Sequence, residues 1–270
     1  MVILGSTGSI GVQALDIIRR NPDRFTVVAL CATGANAQAL ASAAIEFEVE
    51  VVGVTRGTCG EDVQMHLLAG VQDRGFSQGD HVLPELVIGP SVPEQLARLD
   101  VDIVLNAIAG AAGLKATLET LAAGNRLALA NKESLIIGGD LVSHLARPGQ
   151  IIPVDSEHSA VAQCLLAGKS SEVRKLIITA SGGPFLGKSR KQLEKVSIDD
   201  ALAHPTWKMG PLVTINSATL VNKGLEVIEA HLLFDVPFAD IEVTVHPQSV
   251  VHSMVEFIDG STIAQASPPD

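Results

Sequence analysis

The feature that most constrains this chain is an alternation over its first 154 residues: short apolar runs separated by Ala- and Leu-rich stretches of helical length. The runs are 2–4, 26–31, 50–54, 102–107, 126–130 and 150–154; the helical stretches are 10–20, 37–47, 114–123 and 135–146. A strand that is apolar on both faces must be covered on both. Helices between successive strands do that, so the pattern predicts βαβ units and a doubly wound parallel sheet. The polar, glycine-dotted segment 55–83 fits no element in this reading.

From about residue 151 the pattern changes. A strand is expected at 173–180, ending in Ser181-Gly182-Gly183-Pro184, then a helix at 217–234 whose apolar stripe is Val221, Leu225, Ile228 and Leu232. Strands follow at 241–246, 250–258 and 261–267, the last two joined by the turn pair Asp259-Gly260. This predicts two domains: a Rossmann-like α/β domain over 1–150 and an α+β domain over 151–270.

Within the first domain, Gly5-Ser6-Thr7-Gly8-Ser9-Ile10-Gly11 follows a strand and opens a helix. Glycines there let backbone amides approach a pyrophosphate, which the helix N-terminus favours. The spacing GxxGxxG is a variant of the dinucleotide fingerprint, and a merely tight strand-to-helix turn is its alternative. No Asp or Glu occurs from Arg24 to Ile45. The acid that would bind a ribose 2′-hydroxyl is therefore missing, which favours NADP over NAD, unless nothing binds there at all.

In the second domain, Asp155 and Glu157 follow the run 150–154; if the extended backbone continues, they share one face. Neighbouring anions repel unless a cation or a shared proton lies between them. Glu226 lies off the apolar stripe, with Asn222 four residues and Lys223 three residues before it, and Glu229 is an alternative to it. Three carboxylates suit Mg²⁺ or Mn²⁺ better than zinc; the competing reading of Glu226 is a solvated pair with Lys223. The Ser181-Gly182-Gly183 turn offers amides and a hydroxyl to an oxyanion, or is an ordinary turn. Trp207 sits in a breaker-rich loop as a lid or a satellite core residue. Lys132, just past the strand 126–130, faces a crevice or solvent. His246 and His252 read as structural.

A formal net charge of −11, no tyrosine and one tryptophan argue against a nucleic-acid surface. No apolar run approaches the length of about 18 residues that a membrane helix needs. Cys31, Cys59 and Cys164 are odd in number and widely spaced, against a disulfide framework or zinc site, so a reducing cytoplasm is expected.

The motifs GSTGSIG at 5–11, LANKESL at 129–135, PVDSEH at 153–158, TASGGPF at 179–185, HPTWKMG at 204–210, NKGLEVIEAHLLF at 222–234 and the segment 246–270 together resemble the 1-deoxy-D-xylulose 5-phosphate reductoisomerase family. The resemblance implies an NADPH- and divalent-metal-dependent enzyme that rearranges a sugar phosphate to an aldehyde and reduces it, in isoprenoid precursor synthesis. It implies metal ligands Asp155, Glu157 and Glu226, with Lys132 and His204 also catalytic. Substrate contacts would come from Lys132, Ser156, Glu157, Ser181, His204, Trp207, Ser217, Asn222, Lys223 and Glu226. Cofactor contacts would come from Thr7, Gly8, Ser9, Ile10, Gly34, Asn36, Asn131, Glu133 and Gly210. A homodimer is implied, as is a further C-terminal helical domain with no counterpart in this sequence. Where many members carry Gly-Lys-Asn, this chain has Gly34-Ala35-Asn36. The rival expectations are a metal-independent NADP-linked reductase and an NADPH-binding module without turnover.

Overall fold

The structure, a computed structural model, describes residues 1–73, 83–207 and 209–268. Part of the unassigned segment 55–83, Lys208 of the HPTWKMG motif, and the terminal Pro269 and Asp270 lie outside the described residues. The chain divides into two compact units, Met1–Ile152 and Pro153–Asp270.

The first unit carries strands β1 (Val2–Leu4), β2 (Ala29–Ala32), β3 (Val51–Val54), β4 (Glu85–Ile88), β5 (Ile103–Asn106), β6 (Arg126–Leu129) and β7 (Ile151–Pro153). Its helices are α1 (Ser9–Arg19), α2 (Ala37–Glu46), α3 (Gly60–Asp73), α4 (Val92–Ala97), α5 (Leu114–Ala123) and α6 (Lys132–Leu145). The strands form one sheet in the order β4-β3-β2-β1-β5-β6-β7. Val2 pairs in parallel with Ala29 on one side and Val104 on the other. Val2, Ile3 and Leu4 are completely buried, as an all-apolar central strand must be. Strand order reverses between β1 and β5, so the chain leaves their carboxyl ends in opposite directions and opens a crevice there.

The segment at 55–83 contains α3, and the unexpected β4 and α4 follow. Val63, Leu67 and Val71 give α3 a buried stripe. Its glycines mark close packing rather than a loop: a Cβ on Gly60 would lie 2.4 Å from Ile88 Cδ1, and one on Gly70 2.5 Å from Ile45 Cδ1. The run 26–31 is strand only from Ala29, because β2 begins where β1 begins beside it.

The second unit follows as α7 (Ser156–Leu165), β8 (Val173–Ala180), α8 (Arg190–Leu193), α9 (Ile198–Leu202), α10 (Pro211–Ala218), α11 (Val221–Phe234), β9 (Ile241–Val245), β10 (Val251–Phe257) and β11 (Thr262–Ala266). The sheet order is β11-β10-β8-β9, with β10 antiparallel to β8 and β11, and β9 parallel to β8. Its core joins Val161 and Cys164 of α7, Leu176 and Ile178 of β8, Ala230 of α11, and Val255 and Phe257 of β10.

Two expectations about this unit are corrected. The helix at 217–234 is two helices, α10 and α11, broken where Leu220 adopts a left-handed conformation with φ 61°. The stripe Val221, Leu225, Ile228 and Leu232 is not the buried face: Val221 is 52% exposed, while Lys223, Glu226, Glu229 and Ala230 are buried. The helix turns its charged face inward because a carboxylate on α7 meets Lys223 there.

Candidate active site

In the first unit the glycine loop lies at the crevice. Gly5, with φ 85°, turns the chain, and its amide and that of Ser6 donate to Cys31 O at 2.8 and 2.9 Å. The Ser6 hydroxyl donates to the same carbonyl. A Cβ on Gly11 would lie 2.4 Å from Gly5 O, so only glycine lets α1 start against the loop. Gly8 caps α1 with no side-chain bond, and no acid occupies the first turn. Thr7, Gly8, Ser9 and Ile10 thus surround a helix N-terminus whose uncapped amides suit an anion.

Gly34, with φ 84°, and Asn36 follow β2; the Asn36 side chain caps α2 by accepting from Ala39 N at 3.1 Å. Asn131 caps α6 by accepting from Ser134 N at 2.6 Å, and donates to Ile108 O and Gly110 O. This ties the loop after β6 to the loop after β5. Lys132 and Glu133 open α6, with Lys132 buried at 7% exposure. Gly210 belongs to the second unit, where it caps α10 ahead of Pro211. The residues around Gly5–Gly11, Gly34 and Asn131 form a cradle suited to a dinucleotide.

In the second unit Asp155, Glu157 and Glu226 each bring a carboxylate oxygen within 4.8 Å of the others. The expected route to this meeting is wrong. The strand stops at Pro153; Asp155 is the N-cap of α7, accepting from Ser156 N at 3.1 Å, and Glu157 lies in the first helical turn. A helix N-terminus stabilises both anions better than an extended strand would.

Lys223 supplies the counter-charge. Its Nζ lies 2.7 Å from Glu157 Oε1 and also contacts Glu226 Oε2. The Asn222 amide donates to Glu226 Oε1, and the Ser156 hydroxyl donates to Glu157 Oε2 at 2.6 Å. Glu226 is 1% exposed, so the solvated-pair reading of it fails. Burial pushes the Glu157 carboxyl up, but Lys223, with hydrogen bonds from Lys223 and Ser156, outweighs it and holds the group below its ordinary value. Burial pulls Lys223 down, and the Glu226 and Glu157 charges outweigh it, leaving the ammonium above its ordinary value.

The donors are hard oxygens that already gather around a cation, and that fits a divalent ion such as Mg²⁺ or Mn²⁺. Asp155, His158 and Glu229 make a second grouping of the same kind. Its histidine donates from Nε2 to Glu226 O at 2.8 Å, and Nδ1 lies 3.4 Å from Glu229 Oε2. Sequence reasoning passed over His158, although it ends the PVDSEH motif one helical turn past Asp155.

The Ser181 turn meets the breaker-rich loop. His204 Nδ1 accepts from Thr206 N and Trp207 N at 3.2 and 3.0 Å, so Nε2 carries the proton and donates to Ser181 Oγ at 3.1 Å. Burial holds His204 below its ordinary value, consistent with this neutral tautomer. The Ser181 hydroxyl accepts from His204, and from Gly183 N at 3.4 Å, which leaves its own proton for an anionic acceptor. The Ser217 hydroxyl donates to Val213 O at 2.8 Å. Trp207 packs edge-on against His252, whose Nε2 also meets Ser267 Oγ, in keeping with a structural His252. His246 bonds Val250 N, also a structural role.

Among the described residues no helix is long and apolar enough to cross a membrane.

The first unit matches the family model described as 1-deoxy-D-xylulose 5-phosphate reductoisomerase over residues 1–139, and residues 151–234 match the model of that family's C-terminal domain. The enzymes of that name from Streptomyces coelicolor and Kitasatospora griseola are each 59% identical to the whole chain, which covers 63% and 68% of their lengths. The chain thus spans about two thirds of the curated relatives it matches. Among solved structures, the Zymomonas mobilis reductoisomerase with NADPH matches all of the chain at TM-score 0.87 and 40% identity, the chain covering 67% of it. A reductoisomerase complex with NADPH, fosmidomycin and magnesium matches at TM-score 0.86 and 41% identity, over 66% of its own length.

Proposed function

Because the chain belongs to the 1-deoxy-D-xylulose 5-phosphate reductoisomerase family, we propose that it uses NADPH and a divalent ion, Mg²⁺ or Mn²⁺, to convert 1-deoxy-D-xylulose 5-phosphate to 2-C-methyl-D-erythritol 4-phosphate. The observation that carries this reading is the meeting of Asp155, Glu157 and Glu226, two of which, Glu157 and Glu226, pair with the Lys223 ammonium. The relatives with bound NADPH and magnesium support it.

When bound, the ion supplies Lewis-acid stabilisation of charge on the substrate's vicinal oxygens, and NADPH supplies the hydride. Asp155, Glu157 and Glu226 hold the ion, with Ser156 and Asn222 fixing the orientation of two of these carboxylates. Lys223 and Lys132 offer cations to anionic substrate oxygens, and Asn222 and Ser156 offer polar contacts. Ser181, oriented by His204, directs its hydroxyl proton at a phosphate oxygen, with Ser217 completing that polar edge. Trp207 closes over the substrate and excludes water. Thr7, Gly8, Ser9 and Ile10 receive the pyrophosphate, and Gly34, Asn36, Asn131, Glu133 and Gly210 complete the cofactor contacts. A cytoplasmic homodimer is the assembly and location proposed; three free cysteines accord with a reducing compartment.

The test is NADPH oxidation by this chain with 1-deoxy-D-xylulose 5-phosphate and Mg²⁺ or Mn²⁺. Glu157→Gln keeps shape and removes charge, and should cut turnover at least ~100-fold, about 3 kcal/mol of transition-state stabilisation. Activity that survives both EDTA and this substitution refutes the metal site.

A further inference from the structure

The loop after β2 lacks an acid that would repel a 2′-phosphate, but it also lacks a cation to attract one: residues 25–45 hold no charged side chain. We propose that Arg56, reaching in from the loop after β3, holds the ribose 2′-phosphate and sets the preference for NADPH over NADH. This rests on the reading that the first unit binds the dinucleotide.

The sheet places Arg56 there. β2 and β3 are parallel neighbours with Ala32 opposite Val54, so residues 33–36 and 55–59 leave the sheet side by side at the same end. Thr55 N donates to Ala32 O at 3.0 Å and Arg56 N to Thr33 O at 3.3 Å, extending the ladder past both strands. The turn Gly57–Cys59 then folds onto Gly34, where a Cβ would lie 2.7 Å from Cys59 Cβ. Arg56 is therefore held beside the loop that receives the adenosine ribose in this architecture.

The electrostatics agree. Arg56 is the only cationic side chain between residues 25 and 60. It is exposed, and among the described residues it enters none of the ion pairs. The ten-residue helix α2 begins at the same loop with no acid in its first turn, so its N-terminus adds to the positive field. The acids closest after Arg56, Glu61 and Asp62, lie in the first turn of α3, where that helix's own N-terminus favours them. A guanidinium fork matches a phosphate in a bidentate pair, whereas the 2′-hydroxyl of NADH offers it no charge.

The experiment measures binding of NADPH, NADH and adenosine 2′-monophosphate to the full 270-residue chain by calorimetry, for wild type, Arg56→Ala and Arg56→Lys. Arg56→Ala should weaken NADPH and adenosine 2′-monophosphate on the order of tenfold, with NADH changed less than about twofold; Arg56→Lys should recover part of the loss. Retained NADH binding also reports that the variant is folded. Equal losses for NADPH and NADH, or no loss for either, overturn the assignment while leaving dinucleotide binding intact. A wild-type chain that binds neither dinucleotide overturns both the assignment and the reading beneath it.

Discussion

Replacing Lys223 by Met tests the charge balance of the carboxylate site. Two of the three clustered carboxylates, Glu157 and Glu226, pair with this ammonium, so the formal charge of the cluster is −3 + 1 = −2, and the substitution returns it to −3. Methionine nearly conserves the volume, so the packing change is minor. Removing one partner of a buried ion pair costs about 3–5 kcal/mol, because it leaves uncompensated charge. Glu157, at 19% side-chain exposure, retains some access to water, which places the expectation at the lower end, about 3 kcal/mol.

The sign with pH follows from the two shifts. The Glu157 contribution is present above its ordinary value of 4.5 and is lost as pH falls through its lower folded value. The Lys223 contribution is present below its ordinary value of 10.5 and is lost as pH rises through its higher folded value. The deficit of the variant should therefore be largest between about pH 5 and 10 and shrink in acid. Urea unfolding followed by Trp207 fluorescence is the assay, since the single tryptophan lies in the second unit. Magnesium at a hundredfold excess over its Kd should restore about 2.7 kcal/mol. A variant as stable as wild type in EDTA at neutral pH, or one indifferent to magnesium, refutes the electrostatic account.

Gly11→Ala places a Cβ 2.4 Å from Gly5 O and 2.6 Å from Ser6 Cα, both backbone atoms that cannot swing away. It should destabilise the first unit by about 1–3 kcal/mol and weaken NADPH binding, read by thermal melting and calorimetry; an unchanged melt counts against the close approach. His204 is held below its ordinary value of 6.5 by burial, so its contribution is present above that value and is lost as pH falls through the lower folded one. His204→Gln should flatten the dependence of the second unit's urea midpoint on pH between about 5 and 7, and a steeper dependence would contradict the neutral tautomer.

What could be read in the sequence was set by how local its cause is. The helix at Leu114–Ala123 and the strand at Val173–Ala180 fall where periodicity places them, because each follows from its own residues. The glycine loop was legible for much the same reason, since Gly8 and Gly11 answer contacts with Gly5 and Ser6 inside the loop itself, although Gly5 also lies against Ala107 on a distant strand end. The three carboxylates were singled out from the sequence, and the structure does bring them together, but by a different geometry from the one expected. Asp155 caps a helix rather than extending a strand, which depends on the turn after Pro153. On α11 the apolar stripe is present, yet Glu157 lies across from Lys223 and decides which face turns inward, and no window of α11 contains that fact. His158 and Arg56 were missed because each matters through a partner distant in sequence, Glu226 for one and Thr33 for the other.

The two helices that carry the three clustered carboxylates also carry the core. On α7, Asp155 and Glu157 stand at one end while Val161 and Cys164 pack further along, and on α11 the same holds for Glu226 and Ala230. His158 staples the helices together through the backbone carbonyl of Glu226 and stacks on Phe234. The carboxylates therefore do not have to be recruited from a wandering loop when an ion arrives. Their conformational entropy is surrendered when the second unit folds, and the free energy of ion binding is spared that loss. The same arrangement runs in reverse: a mutation deep in the packing of α7 against α11 is felt at the carboxylates as a displacement of their oxygens, and so as a change in affinity for a cation that the mutated residue never touches.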